Sequence, residues 1–390
     1  MIGSVSTASP QFSLVAGEAS GDLLAGLLLD GMQQRWPQMQ ASGIGGARML
    51  EHGFKAWWPS DKLSVFGYMD ALRHYREILG IRNQLKTKLL ANPPDVFIGV
   101  DAPDFNLDLE ADLRQAGIKT VHFVCPSIWA WRPKRVEKLK KSCDHVLCVF
   151  PFEPELLAKH GIAATYVGHP LASVIPMQPD KAKAREQLGL KLEDKVVAVL
   201  PGSRLAEMKH LAPRYFQAVA SMIISYPAMK FIVPAMPKHI SLLQTMAKEC
   251  GVEKHVHIIS GQSHIALEAC DVTLITSGTA TLEAALYKRP MVIGYALNWL
   301  SYEIMKRKKL QPWVGLPNIL SEKFVVPELI QDAATPEALA AATLAWFDAP
   351  EKVVDLERQF TTLHIQLLRN TSELAADAIA QVLDKTTKAS

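Results

Sequence analysis

The chain has 390 residues, 49% of them hydrophobic and 21% charged, with a formal net charge of +3. That length exceeds what one compact core fills and predicts two or three domains, while so small a charge argues against nucleic acid as the main partner. Five cysteines without CxxC spacing exclude a disulfide framework and read as small buried residues of a reducing compartment. No apolar run approaches the roughly 18 residues of a transmembrane helix. The opening MIGSVSTASP lacks the charged and apolar regions of a signal peptide. The expected location is cytoplasmic.

Phe12 to Ala16 reads as a short strand, followed by the Gly-rich turn Gly17-Glu18-Ala19-Ser20-Gly21-Asp22 and a leucine-rich helix. Strand, turn and helix form the first unit of a doubly wound sheet, with its ligand side at the strand's carboxyl end. That puts Gly17, Ser20 and Gly21 among the candidate substrate-binding residues. The spacing is not GxGxxG, so a dinucleotide fingerprint is unsupported. A second cluster, Gly43-Ile44-Gly45-Gly46, reads as a turn before a helical run.

Between Leu63 and Lys86, the apolar Val65, Phe66, Tyr68, Met69, Leu72, Tyr75, Ile78 and Leu79 are interleaved with Arg73, His74, Arg76, Arg82 and Lys86. This pattern suits either a helix on an anionic membrane surface or acyl-chain groove, or a core-facing amphipathic helix with a solvated basic side. Asp95 to Val100 is a buried strand ending in Asp101-Ala102-Pro103-Asp104-Phe105-Asn106. Asp101 at such a tip serves as a general base or as a helix cap, with Asp104 as a cap or support. Pro103 biases Ala102 towards an extended conformation and so disfavours an immediate helix.

Thr120 to Val124 is a further strand, leading into Cys125-Pro126-Ser127-Ile128-Trp129-Ala130-Trp131-Arg132. Its tryptophans, beside Arg132, Lys134 and Arg135, either clamp a phosphorylated or amphipathic substrate or pack as a loop with a basic rim. Cys143 to Val149 reads as another strand. Gly168-His169-Pro170 suits a domain hinge, with His169 structural or facing a cleft.

The second half repeats the alternation. Asp194 to Leu200 runs into Pro201-Gly202-Ser203-Arg204, where Gly202 and Ser203 offer donors and Arg204 a bidentate grip on a diphosphate. Strands follow near Lys230 to Pro234 and His255 to Ile259. The stretch Asp271 to Pro290, DVTLITSGTATLEAALYKRP, is a strand, a turn through Ser277-Gly278-Thr279 and a helix. A helix entrance carries unpaired N–H groups and roughly half a positive charge, which makes it a phosphate seat. Ser277, Thr279 and Thr281 either cap the helix or donate to phosphate, and Glu283 is near enough to accept from ribose hydroxyls. Met291 to Gly294 is the next strand. Asn318, in Leu316-Pro317-Asn318-Ile319-Leu320, either bonds a base or sugar or bonds its own backbone.

Two Rossmann-like α/β domains facing each other describe the GT-B glycosyltransferase architecture. The expected layout is one such domain over 1–170, a second over 171–350 and C-terminal helices over 351–390 that pack across domains or onto a partner chain. No Asp-x-Asp occurs, so no metal diphosphate site is expected. A helix entrance and Arg204 would meet the leaving group instead.

The segments VAGEASGD, GIGGARM, GVDAPDFN, PSIWAWRPKR, VGHPLA, LPGSR, TSGTATLE and LPN together resemble the lipid-A-disaccharide synthase family over nearly the whole chain. The resemblance implies an inverting glycosyltransferase that joins UDP-2,3-diacylglucosamine to 2,3-diacylglucosamine 1-phosphate, releasing UDP and a β-1',6-linked disaccharide 1-phosphate. It implies that Asp101 is the catalytic base, with Glu18 in the same cleft. It also implies that Arg204, the Ser277 to Thr279 turn, Glu283 and Asn318 hold the UDP moiety. Because both substrates are acylated, it favours the lipid-facing reading of Val65, Phe66, Met69, Leu72 and Leu79 and peripheral association with the inner membrane. It implies an acceptor and lipid site in 1–170 and a UDP-sugar site in 171–350, no cofactor, and a possible homodimer. The rival expectations are a UDP-sugar 2-epimerase and a non-catalytic nucleotide-binding protein.

Overall fold

The computed structural model describes residues 9–63, 68–130, 134–296, 302–303 and 310–384; the side chains of 18–20, 61, 68–75 and 206 lie outside that description. The chain divides into two compact units, one of Met1–Pro170 with Gln366–Ser390, the other Leu171–Ile365.

The first unit is built on strands β1 (Gln11–Ala16), β2 (Gln40–Gly45), β3 (Lys55–Pro59), β4 (Val96–Val100), β5 (Lys119–Phe123), β6 (His145–Cys148) and β7 (Ala164–Tyr166). They form one parallel sheet in the order β3-β2-β1-β4-β5-β6-β7. Its helices include α1 (Glu18–Arg35), α2 (Ala47–Leu50), α3 (Tyr68–Ala91), α4 (Pro103–Gln115), α5 (Arg135–Ser142) and α6 (Glu153–Ala158), and the C-terminal helix Thr371–Asp384 joins them. Past their first residues β1, β4 and β5 are buried at every position rather than at alternate ones, as in a parallel sheet covered on both faces, with Ser13, Thr120 and His122 as buried polar members.

Three local expectations are corrected. The glycines at 43 and 45 belong to β2 rather than to a turn, because a side chain there has nowhere to go. A Cβ on Gly43 would lie 2.1 Å from the Leu14 carbonyl oxygen, and one on Gly45 would lie 2.4 Å from Met49 Sδ. The Gly-rich stretch after β1 is likewise not a long turn: α1 starts at Glu18 and runs through Gly21. Its Asp22 is buried and accepts from the N–H groups of Gly46 (2.8 Å), Arg48 (2.9 Å) and Met49 (3.2 Å), capping α2. Finally, α4 starts at Pro103 itself, the first helical position, where the missing N–H costs nothing.

Helix α3 presents Ile78, Ile81, Leu85 and Leu89 to a core shared with Phe97, Phe105 and Leu109. Its Arg82 and Lys86 pair with Asp108 (2.9 Å) and Asp112 (2.8 Å) of α4. Over this half of the helix, the core-facing reading describes what the residues do. Leu79 is half-buried; Val65 and Phe66, and the side chains of Met69 and Leu72, lie outside the described residues.

The second unit contains β8 (Val196–Leu200), β9 (Lys230–Ala235), β10 (Val256–Ser260), β11 (Val272–Thr276), β12 (Met291–Tyr295) and β13 (Glu328–Ile330). These are parallel in the order β10-β9-β8-β11-β12-β13. A short helix Pro170–Val174, labelled α7, leads into α8 (Lys181–Gln187); α9 (Leu205–Ser225), α10 (Ile240–Glu249), α11 (Ser263–Ala269) and α12 (Thr279–Leu286) follow the strands. Asp271 anchors the start of β11: its carboxylate accepts from Val196 N (2.8 Å) and from the buried Arg185 guanidinium (3.0 Å). Each sheet reverses its strand order once, between β1 and β4 and between β8 and β11. Ligands of doubly wound sheets bind at the carboxyl ends of such strand pairs.

Candidate active site

In the second unit, the loops leaving β8 and β11 flank a pocket of about 420 Å³. Its lining includes Gly202, Ser203, Arg204, Ser277, Gly278, Thr279 and Glu283. Seven residues separated by up to 81 positions in the chain are therefore brought together at one switch point. Two helices begin here, α9 at Leu205 and α12 at Thr279, and both direct first-turn N–H groups without helical partners to the pocket's edge. Positive potential from two helix entrances, with a guanidinium beside them, is what a diphosphate requires.

The side chains divide the work. Arg204 is 79% exposed and only loosely paired, 3.4 Å from Glu207, so its guanidinium is free to turn to an anion. Glu207 bends back towards the Arg204 N–H and occupies the space that a Cβ on Gly202 (φ 110°) would need, 2.9 Å away. Gly278, at φ 154°, has nothing within 4 Å of a Cβ position, leaving the turn open to close approach. Ser277 Oγ is already donated to the Val314 carbonyl (2.8 Å), and Thr281 Oγ to the Gly278 carbonyl (2.7 Å). Those hydroxyls stiffen the turn. Glu283 lies 3.4 Å from His264 Nε2, and its carboxylate raises the pKa of that imidazole.

Asn318 is not part of this pocket, which corrects the sequence expectation. It is fully buried, and its amide accepts from the N–H groups of Val325 (2.8 Å) and Val326 (3.0 Å) while donating to Val326 O (2.9 Å) and Glu328 (2.9 Å). With that capacity spent on its own loop, it is a folding residue. Conversely, Met236, Gly261 and Ser263 line the pocket and were missed. They follow β9 and β10, whose carboxyl ends lie on the same edge of the sheet, and that was the available signal.

In the first unit, the register Ala16↔Val100 sets Gly17 and Asp101 side by side as their strands end. A Cβ on Gly17 would stand 3.5 Å from that of Ala102, so β1 and β4 close on each other there. A Cβ on Gly21 would have ordinary contacts only. The side chains of Glu18 and Ser20 lie outside the described residues. Asp101 and Ala102 both adopt the left-handed region, at φ 50° and 44°, against the expectation of an extended Ala102. Each costs roughly 1 kcal/mol or more. The turn is held by Asp101 N donating to the Phe123 carbonyl (2.9 Å) and by the N–H groups of Phe105 (2.9 Å) and Asn106 (3.0 Å) meeting the Ala102 carbonyl. Two strained non-glycine residues at a strand tip mark a carboxylate whose direction is imposed. Asp104 is paired with Arg135. Trp129 donates to the buried Glu153 (3.1 Å) and packs edge-on against Phe150 and Phe152, so of the two loop readings it packs. Trp131 and Arg132 lie outside the described residues.

A family model described as lipid-A-disaccharide synthetase matches residues 12–381. A lipid-A-disaccharide synthase of Albidiferax ferrireducens is 65% identical over 378 residues, covering 96% of this chain and 97% of its own. The chain belongs to the lipid-A-disaccharide synthetase family. Another synthase, from Verminephrobacter eiseniae, is 60% identical over 96% of this chain and 97% of its own. This member of the lipid-A-disaccharide synthetase family is accordingly a glycosyltransferase. Among solved structures, the Staphylococcus aureus MnaA–UDP complex superposes with a TM-score of 0.66 at 11% identity, covering 97% of each chain. The Neisseria meningitidis UDP-GlcNAc 2-epimerase bound to UDP-GlcNAc gives 0.64 at 12% identity, covering 96% of this chain and 100% of that one. Those two likenesses concern the GT-B fold. Among the described residues, no helix is long and apolar enough to cross a membrane.

Proposed function

We propose that this chain transfers the sugar of UDP-2,3-diacylglucosamine to the 6-hydroxyl of 2,3-diacylglucosamine 1-phosphate, with inversion, releasing UDP and the β-1',6-linked disaccharide 1-phosphate. The observation that carries the donor half is the pocket where Arg204, Glu283 and two helix entrances converge. In this reading the diphosphate lies against the α9 and α12 entrances with Arg204 folded over it, and Glu283 accepts from ribose hydroxyls. Negative charge that develops on the departing UDP is stabilised by these fixed dipoles without a metal; loss of one such donor typically costs about 3 kcal/mol. Asp101 takes the proton of the acceptor hydroxyl as its oxygen attacks the anomeric carbon, help worth roughly 10²–10⁴-fold. The work is done at the inner-membrane surface, where the acyl chains of both substrates reside.

The test is incubation with both acylated substrates and mass spectrometry of the products. The expected product is the disaccharide phosphate, formed equally well with EDTA present. An unchanged sugar-nucleotide mass with altered sugar stereochemistry would indicate the epimerase instead, and a requirement for divalent cations would end the metal-free reading. Asp101→Ala should lower turnover on the order of 10²-fold or more while UDP binds as before. Arg204→Ala should weaken UDP itself by about tenfold or more, as loss of a hydrogen bond to a charged group does. Equal loss of turnover and UDP affinity in Asp101→Ala would remove it from the base role.

A further inference from the structure

We propose that Asn106 is the positioning residue for Asp101, fixing the direction in which the carboxylate reaches; the inference rests on the assignment of Asp101 as the base. Asn106 is fully buried on the first turn of α4, directly behind the β4 tip. Its amide nitrogen faces three carbonyl oxygens: Asp101 O at 2.8 Å, Val100 O at 3.4 Å and Val15 O at 3.4 Å. Only a donor can sit there, since an amide oxygen in that place would meet three lone-pair-bearing oxygens. One NH2 group thus ties together the ends of β1 and β4, the strand pair at the switch point, and holds the peptide that bears the base.

The backbone around it explains the need. Asp101 and Ala102 are both left-handed, and a residue before proline prefers an extended conformation. Left to itself, the turn relaxes towards that preference and swings the Asp101 side chain away. Asn106 opposes the relaxation at the Asp101 carbonyl, and its own place is fixed twice. Its N–H donates to Ala102 O at 3.0 Å, and its Cβ packs against Gly99, where an added Cβ would come within 2.9 Å. The same face of α4 carries the buried Glu110, whose carboxylate bonds His122 Nδ1 at 2.7 Å and keeps the helix close to β4 and β5. Asn106 touches no substrate in this account; it acts through Asp101.

A double-mutant comparison tests it. Asn106→Leu keeps the volume and removes the donor. Asn106→Ser, which vacates space rather than crowding it, takes its place should the leucine chain not fold. A misplacement of about 1 Å costs on the order of 10² in rate, so turnover should fall roughly 30- to 100-fold, with UDP affinity within about twofold of the parent. In an Asp101→Ala background, the same substitution should lower turnover no further, because there is no base left to misdirect. Losses that multiply across the two sites, or an Asn106 variant with full turnover, would overturn the proposal. An Asp101→Ala chain that turns over normally would remove the base assignment, and this inference with it. That failure is distinct, because it shows in the single Asp101 variant alone.

Discussion

At the scale of single residues, the titrating groups near the end of the first unit's sheet have opposite signs. Burial pushes the His169 imidazole down to about 4, beside the ring of Phe150. An unfolded chain takes up that proton near pH 6.5, so His169 contributes stability in full above that value. The contribution is lost as the pH falls from about 6.5 to about 4. Glu153 is pushed up to about 8, chiefly by burial, and its folded form keeps a proton that the unfolded chain has released. Its effect therefore runs the other way, with stability falling as pH rises from about 4.5 to about 8. Comparing the protein with His169→Gln cancels the Glu153 term. Acidification from pH 6.5 to 4 should cost the parent up to about 3 kcal/mol more than the variant in denaturant titrations; equal acid losses in both would show that His169 titrates normally.

At the scale of elements, the contact of α4 with β4 decides the geometry of the Asp101 turn. Gly99 is the point of closest approach: a Cβ there would lie 2.1 Å from Glu110 Oε1 and 2.9 Å from Asn106 Cβ. Gly99→Ala forces α4 outwards, and overpacking of this kind costs about 1–3 kcal/mol. The variant should melt earlier and turn over more slowly, with the UDP affinity of the second unit unchanged. Full turnover and an unaltered melt would mean that α4 can shift without moving Asp101. This contact also shows why sequence reading missed the helix start. The proline rule describes local preference, and here packing and hydrogen bonds outweigh a local cost of about 1 kcal/mol per residue.

At the scale of the whole molecule, the chain returns to its beginning. The C-terminal helix Thr371–Asp384 belongs to the first unit and lies against α1, where Ser372 Oγ donates to Leu27 O (2.8 Å). Its backbone comes so close that a Cβ on Gly31 would stand 2.2 Å from the Ser372 carbonyl. Just before it, Tyr166 donates to Gln366 O (2.7 Å) and His169 N to Leu367 O (2.9 Å). A chain ended after Ile365 should therefore uncover the α1 face that Ala375, Ala376 and Ile379 help to bury. The expected outcome is a first unit that melts early or not cooperatively, beside a second unit that still binds UDP within about twofold. A single undisturbed transition would show that the returning helix adds little.

The sequence alone determined the central strands of both sheets, the helices behind them and the residue types at their carboxyl ends, but not β2, β3, β7 and β13. Those features rest on local periodicity and on turn chemistry, which neighbouring residues set. It also carried the motifs by which the family was legible, from GVDAPDFN to TSGTATLE. Only the tertiary structure decided that Arg204 and Glu283 share one pocket while Asn318 is buried in its own loop. Only it showed that the Asn106 amide donates to the Asp101 carbonyl and that α1 packs against a helix some 340 positions away, as the Arg35–Asp377 pair, 342 positions apart, illustrates. The physical reason is that strand order and close approach, not neighbours in the chain, choose which donors and acceptors are spent on the fold and which are left for a ligand.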